Sequence, residues 1–275
     1  MTKNTTQPGV FIKTYHDTKQ PVIIMIHGFR GTHHGLDLIA RALPENRIIV
    51  PDLPGFGRST PLNQEHSLAN YVQWLHEFID QLKLPQTPIL LGHSFGSIVT
   101  AAYASRYPDT ISKLILVNPI GAPALEGPKA ALTKLAVFYY LIGQKLPPRI
   151  GHSWLATKPI VMIMSSTMAK TKDRQLRAFI HDQHFQHFSS FASPKVVAEA
   201  FATSTSHTVR DSAPTISTPT LLIAGDLDDI TPLSKQRQLA ELFPDASLEV
   251  ITGVGHLTHY ETPLEVARLI KTFIC

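Results

Sequence analysis

Six short runs rich in isoleucine, valine and leucine punctuate this chain, and most lack the alternation of a strand with one wet face. They are PVIIMIHG (21–28), RIIVPD (47–52), PILLGHS (88–94), KLILVNP (113–119), PTLLIAGD (219–226) and SLEVITG (247–253). A strand that is apolar at nearly every position is buried on both faces, which is the mark of a parallel sheet covered by helices. Helical patterns fall between the runs, at about 67–83, 95–107, 232–243 and 262–273. In the first of these, Leu68, Tyr71, Val72, Leu75, Phe78, Ile79 and Leu82 form one apolar stripe at helical spacing. Strand and helix in alternation predict an α/β fold with a doubly wound, mostly parallel sheet.

The alternation stops at about 120 and resumes at about 214. The stretch between reads as helical, with a proline cluster at 146–148 and no clear strand. It is expected to be a helical cap inserted over the carboxyl edge of the sheet. The expected organisation is therefore a core of 10–119 and 214–275, a cap of 120–213 and a flexible N-terminus of 1–9. Charge separates the two parts. Residues 120–215 hold 11 Lys and Arg against 5 Asp and Glu, and the remainder holds 14 against 16.

The whole chain carries a formal charge of only +4, with no block of five like charges, so nucleic acid is not an expected partner. Cys275 is the only cysteine, so no internal disulfide and no cysteine-based metal cluster can form. The opening MTKNTTQPGV has no apolar core of a secretory signal. Apolar runs such as LAVFYYLI (135–142) are far short of the ~20 residues of a membrane span. These features predict a cytoplasmic protein without a transmembrane segment.

The chemistry concentrates at LLGHSFGSIV (90–99). Gly92-His93-Ser94-Phe95-Gly96 fits G-x-S-x-G between a strand and a helix, a turn that projects a serine hydroxyl and needs small flanking residues where strand and helix approach. A serine at neutral pH also needs a base and a site for the oxyanion. His27-Gly28-Phe29 follows a strand directly, so the Phe29 N–H is one candidate oxyanion donor and the Phe95 N–H, at the start of a helix, is the other. His256 follows the last strand. Asp226, Asp228 and Asp229 follow the strand before it.

HGFRG, PDLPGFGRS, GHSFG, GDLDDITP and GHLTHYETP, in that order, resemble the blocks of the α/β-hydrolase fold superfamily over nearly all of the chain outside the insertion. The resemblance implies Ser94 as nucleophile, His256 as base and Asp228 as acid. The family pattern G-x-x-D-x-x-x-P aligns Gly225, Asp228 and Pro232, which favours Asp228 over its neighbours. Some relatives carry the acid one strand earlier, where this chain has Asn118. The expected activity is that of a serine esterase or thioesterase forming an acyl-enzyme on Ser94, with no cofactor and no metal. The expected partner is a small-molecule acyl substrate, an anionic one if the basic cap draws it in.

Two alternatives stay open. One is a carbon–carbon bond hydrolase of the meta-cleavage type, although such relatives usually have Asn where His93 stands. The other is a small-molecule receptor that keeps the fold without turnover, because a fold alone fixes no function. Among the remaining candidates, His27 and His93 read as structural neighbours of the site, and His259 as a weaker candidate base. Asp52 reads as a hydrogen-bonding anchor. His181, His184 and His187 read as a solvated or pocket-lining helix face rather than a metal site. Phe138, Tyr139, Tyr140, Trp154, Met162, Met164 and Met168 are candidates to line an acyl pocket, with most of them expected in the core of the cap. KTKDRQLR (170–177) reads as a solvated helix face.

Overall fold

The computed structural model describes residues 9–123 and 130–275. Nearly all of the expected N-terminal tail, 1–9, lies outside the described residues, as does 124–129 of the expected cap. Seven strands form one sheet in the order β1-β3-β2-β4-β5-β6-β7. They are β1 (Ile12–Tyr15), β2 (Val22–Ile26), β3 (Arg47–Pro51), β4 (Ile89–His93), β5 (Lys113–Val117), β6 (Thr220–Gly225) and β7 (Ala246–Ile251). All neighbours pair in parallel except β1, which runs antiparallel to β3 at the edge. β1 was not among the expected strands. Its sequence, IKTY, is short and polar, and it holds its place by pairing with β3 rather than by an apolar run.

Helices cover both faces, and the strands show why. Ile24, Ile26, Leu90, Leu114 and Leu116 point to one face, against Tyr71, Leu75 and Phe78 of α2 (Leu68–Gln81) and Ile98 and Val99 of α3 (Phe95–Arg106). Ile23, Met25, Leu91, Ile115 and Val117 point to the other, against Ile39 and Ala40 of α1 (Asp37–Arg41) and Val266 and Ile270 of the C-terminal helix (Pro263–Ile274). Alternate residues of one strand thus serve two separate cores, which is why those strands show no polar side.

Between β5 and β6 the chain forms α4 (Ala130–Lys145), α5 (Pro148–Leu155), α6 (Lys158–Met168), α7 (Arg174–His187) and α8 (Pro194–Ser206). α9 (Leu233–Ala240) lies between β6 and β7, and α10 (Thr258–Glu261) and α11 (Pro263–Ile274) follow β7. Two expectations for this stretch need correction. Tyr140 is buried, but Phe138, Trp154 and Met162 are exposed. These three side chains stand on helix faces turned to solvent rather than to the neighbouring helices. In KTKDRQLR, residues 170–173 are not helical. Asp173 caps the start of α7, accepting from the Gln175 and Leu176 amides, and the Lys170 and Thr171 amides donate to Glu261. Among the described residues no helix is long and apolar enough to cross a membrane.

Candidate active site

The carboxyl ends of β2, β4, β5, β6 and β7 converge on one rim of the sheet, where ligands of open α/β sheets bind. Ser94 follows β4 directly, with φ 52° and ψ −118°, a left-handed conformation that a non-glycine residue seldom adopts. The flanking glycines make this turn possible. A Cβ at Gly92 would sit 2.2 Å from Thr100 Oγ1, and one at Gly96 would sit 2.3 Å from the Ile26 carbonyl oxygen. The Ser94 amide donates to the Val117 carbonyl, tying the turn to β5.

Ser94 Oγ lies 2.8 Å from His256 Nε2, and His256 Nδ1 lies 2.8 Å from Asp228 Oδ2. The chain of contacts assigns the tautomer: Nδ1–H donates to the carboxylate, leaving Nε2 to accept from the hydroxyl. Asp228 Oδ1 accepts from the Ile230 and Thr231 amides, and Oδ2 also accepts from Asn118 Nδ2 at 3.1 Å. Burial alone pushes this carboxyl up. The charge and hydrogen bond of His256, with the two amides, outweigh burial and hold it below the ordinary carboxylate value. The neighbouring acids are engaged elsewhere. Asp226 accepts from the Gly253 amide, and Asp229 pairs with Lys170.

The Phe29 and Phe95 amides meet no acceptor among the described residues, and both residues line the same cavity as Ser94. Gly28 permits the close approach: a Cβ there would lie 3.2 Å from Ser94 Cβ. The cavity holds about 960 Å³. Ile120, Ile163, Met164, Met168, Phe201 and Ile230 give it an apolar lining, and His93, His256 and Lys235 add polar groups.

The other candidates take distinct places. His27 is buried, accepts the Leu53 amide at Nε2 and donates from Nδ1 to the Gly28 carbonyl, so it fastens the loop behind Phe29. Burial lowers its pKa. His93 packs beside His259 with ring centroids 4.1 Å apart, and burial, with the neighbouring His256, pushes it down to about 3. His259 contacts His93 and Tyr260, and Ser94 Oγ is held by His256 instead. Asp52 accepts from the amides of His33 and Arg58 and from the His33 ring. His181 and His184 share the Ser165 hydroxyl, and His187 stacks on His34 at 3.9 Å.

Three supporting residues were not singled out for these roles by the sequence. Asn118, at the end of β5, donates to both Asp228 and the Gly255 carbonyl and accepts from Thr258 Oγ1. Glu261 accepts the amides of Gly255, Lys170 and Thr171, joining the His256 loop to the helical layer. Arg30 is fully buried beside Phe29. The VNP after β5 marks Asn118 as a strand-end residue, but its partners come from 110 and 137 residues away.

A family model described as alpha/beta hydrolase fold matches residues 21–263. The chain belongs to that family. Monoacylglycerol lipase ABHD6 of Mus musculus is 27% identical over 265 residues, covering 93% of this chain and 76% of the relative. Lipase 3 of Moraxella sp. (strain TA144) is 26% identical over 278 residues, covering 96% of this chain and 80% of the relative. Among solved structures, a thermophilic esterase from Thermogutta terrifontis superposes with a TM-score of 0.77 at 22% identity, covering 96% and 92% of the two chains. The enol-lactonase from Burkholderia xenovorans LB400 gives 0.78 at 16% identity, covering 96% of each chain. At these identities the solved structures carry the fold alone.

Proposed function

We propose that the protein is a serine hydrolase that cleaves a carboxylic ester or thioester through an acyl-enzyme on Ser94. The observation that carries this is the continuous path from Ser94 Oγ through His256 to Asp228, beside the Phe29 and Phe95 amides, which have no acceptor among the described residues. His256 Nε2 takes the hydroxyl proton as Oγ attacks the carbonyl carbon. Asp228 stays ionised, holds the tautomer and stabilises the imidazolium. The oxyanion forms opposite the Phe29 and Phe95 N–H groups, which are fixed before the reaction begins. The imidazolium then protonates the leaving group. Water, deprotonated by the same ring, clears the acyl group.

The stretch 120–213 acts as the cap in this reading. Ile163, Met164 and Met168 of α6 and Phe201 of α8 roof the cavity and supply apolar surface for an acyl chain. The lipase names of the curated relatives agree with an acyl ester as substrate. An anionic substrate has weaker support. Lys170 is neutralised by Asp229, which leaves Lys235 as the lysine of the cavity wall without an acidic partner among the described residues.

Turnover of p-nitrophenyl esters of increasing chain length by the purified protein tests the reading. Steady turnover that vanishes in Ser94→Ala supports it. A single stoichiometric release followed by silence would point to the receptor alternative.

A further inference from the structure

We infer that Arg30 is a positioning residue that sets the Phe29 oxyanion donor by clamping its loop to the C-terminal ends of two helices. The inference rests on the reading of Phe29 as an oxyanion donor. Arg30 is the largest fully buried side chain, with 0% of its surface exposed. A buried guanidinium ordinarily faces a carboxylate. This one forms no ion pair with any described residue. Its Nε donates to the Phe188 carbonyl at 2.9 Å and its Nη2 to the Leu155 carbonyl at 2.9 Å. Tyr140 Oη lies 3.4 Å from Nη1, and the rings of Phe188 and Phe191 lie 4.7 and 5.3 Å from Cζ.

Leu155 is the last residue of α5, and Phe188 is the C-cap of α7. The carbonyls at a helix C-terminus lack intrahelical donors and carry the negative end of the helix dipole. Two such ends converge on one planar cation, so the charge is balanced by backbone rather than by an acid. A fork of rigid N–H groups reaches both carbonyls at once, which a lysine ammonium does not reproduce.

The other end of the clamp is the oxyanion loop. Gly31 N–H donates to the Gly28 carbonyl, making 28–31 a turn with Phe29 and Arg30 at its tip, and Arg30 takes φ +56°. His27 fastens one side of that turn through the same Gly28 carbonyl. Arg30 fastens the other. Arg30 borders the Ser94 cavity but has 0% of its surface exposed, and its guanidinium is spent on the Phe188 and Leu155 carbonyls, so its effect reaches the reaction through the Phe29 amide.

The test compares wild type with Arg30→Lys, Arg30→Met and Phe191→Leu on p-nitrophenyl acetate, with folding checked by circular dichroism. A trifluoromethyl ketone inhibitor, whose tetrahedral adduct uses the oxyanion donors, gives the second readout. For folded Arg30→Lys and Arg30→Met the expected result is a kcat lower by about thirtyfold or more, KM within about threefold, and inhibitor affinity lost in step with kcat. Phe191→Leu, which removes one ring and keeps the guanidinium, is expected to lose kcat by about threefold to tenfold, and it decides the matter if both Arg30 variants fail to fold. A folded Arg30 variant, or failing that Phe191→Leu, with kcat and inhibitor affinity within about twofold of wild type overturns the inference, even if its thermal midpoint falls. If wild type itself neither turns over the ester nor binds the ketone, the underlying reading fails instead.

Discussion

Asn118 Nδ2 donates at 3.1 Å to Asp228 Oδ2, the same oxygen that accepts from His256 Nδ1. The end of β5 therefore supports an acid that follows β6. Asn118, the His256 ring and the Ile230 and Thr231 amides together give the carboxylate four donors in a buried site. Asn118→Asp replaces one donor with a second carboxylate. Asp228 then titrates higher, and the acid limb of the kcat–pH profile moves up. A fall in kcat of about tenfold at neutral pH is expected, about 1.4 kcal/mol of barrier. An unchanged acid limb would show that Asn118 is irrelevant to the acid.

Asp228→Asn removes the anion and keeps the shape. The amide can donate to Nδ1, which favours the tautomer with its proton on Nε2, the wrong side for a base. A kcat loss of about ten-thousandfold with the fold intact is expected, as in serine proteases with the same substitution. The paired control is Asp226→Asn, whose carboxylate caps the Gly253 amide away from the ring, and which should retain most of the activity.

The turn around Ser94 leaves no room for a methyl group at Gly96, where a Cβ would lie 2.3 Å from one carbonyl oxygen and 2.7 Å from another. Gly96→Ala is expected to cost about 1–3 kcal/mol of stability, or more, by overpacking, and to abolish turnover because relief must come from moving α3. A denaturation midpoint equal to that of wild type would contradict the close approach.

Buried neutral histidines make the fold acid-sensitive. Burial holds His93 at about 3 and His66 and His184 at about 4, and takes His259 well below its ordinary value. Between these values and about 6.5, the unfolded chain binds more protons than the folded one, so stability falls as pH falls. Asp52 and Asp228, held low in the fold, add a second loss below about 3.8, the ordinary carboxylate value, as pH drops through their folded values. Urea midpoints should decline steadily from pH 7 to 4. A flat profile across that range would mean that these rings protonate in the folded protein as readily as in the unfolded chain.

The parallel sheet and the strand–serine–helix turn were legible because each is carried by local pattern, whereas the order Ser94, Asp228, His256 was read from the resemblance of several separate blocks to one family. The support around them was not legible. Asn118 reads as a strand-end polar residue until Asp228 and Gly255 arrive from distant segments. Arg30 reads as an ordinary loop cation, and only the convergence of α5 and α7 explains why a buried arginine belongs there. Phe138 and Trp154 misled in the opposite direction, since aromatic composition does not reveal which face of a helix is turned to solvent.

Intact-mass analysis and peptide mapping after fluorophosphonate treatment test the central claim most directly. The account predicts one adduct, on the peptide carrying Ser94, at a rate that collapses in His256→Ala. A Ser94→Ala protein that still takes the label at the wild-type rate would contradict it.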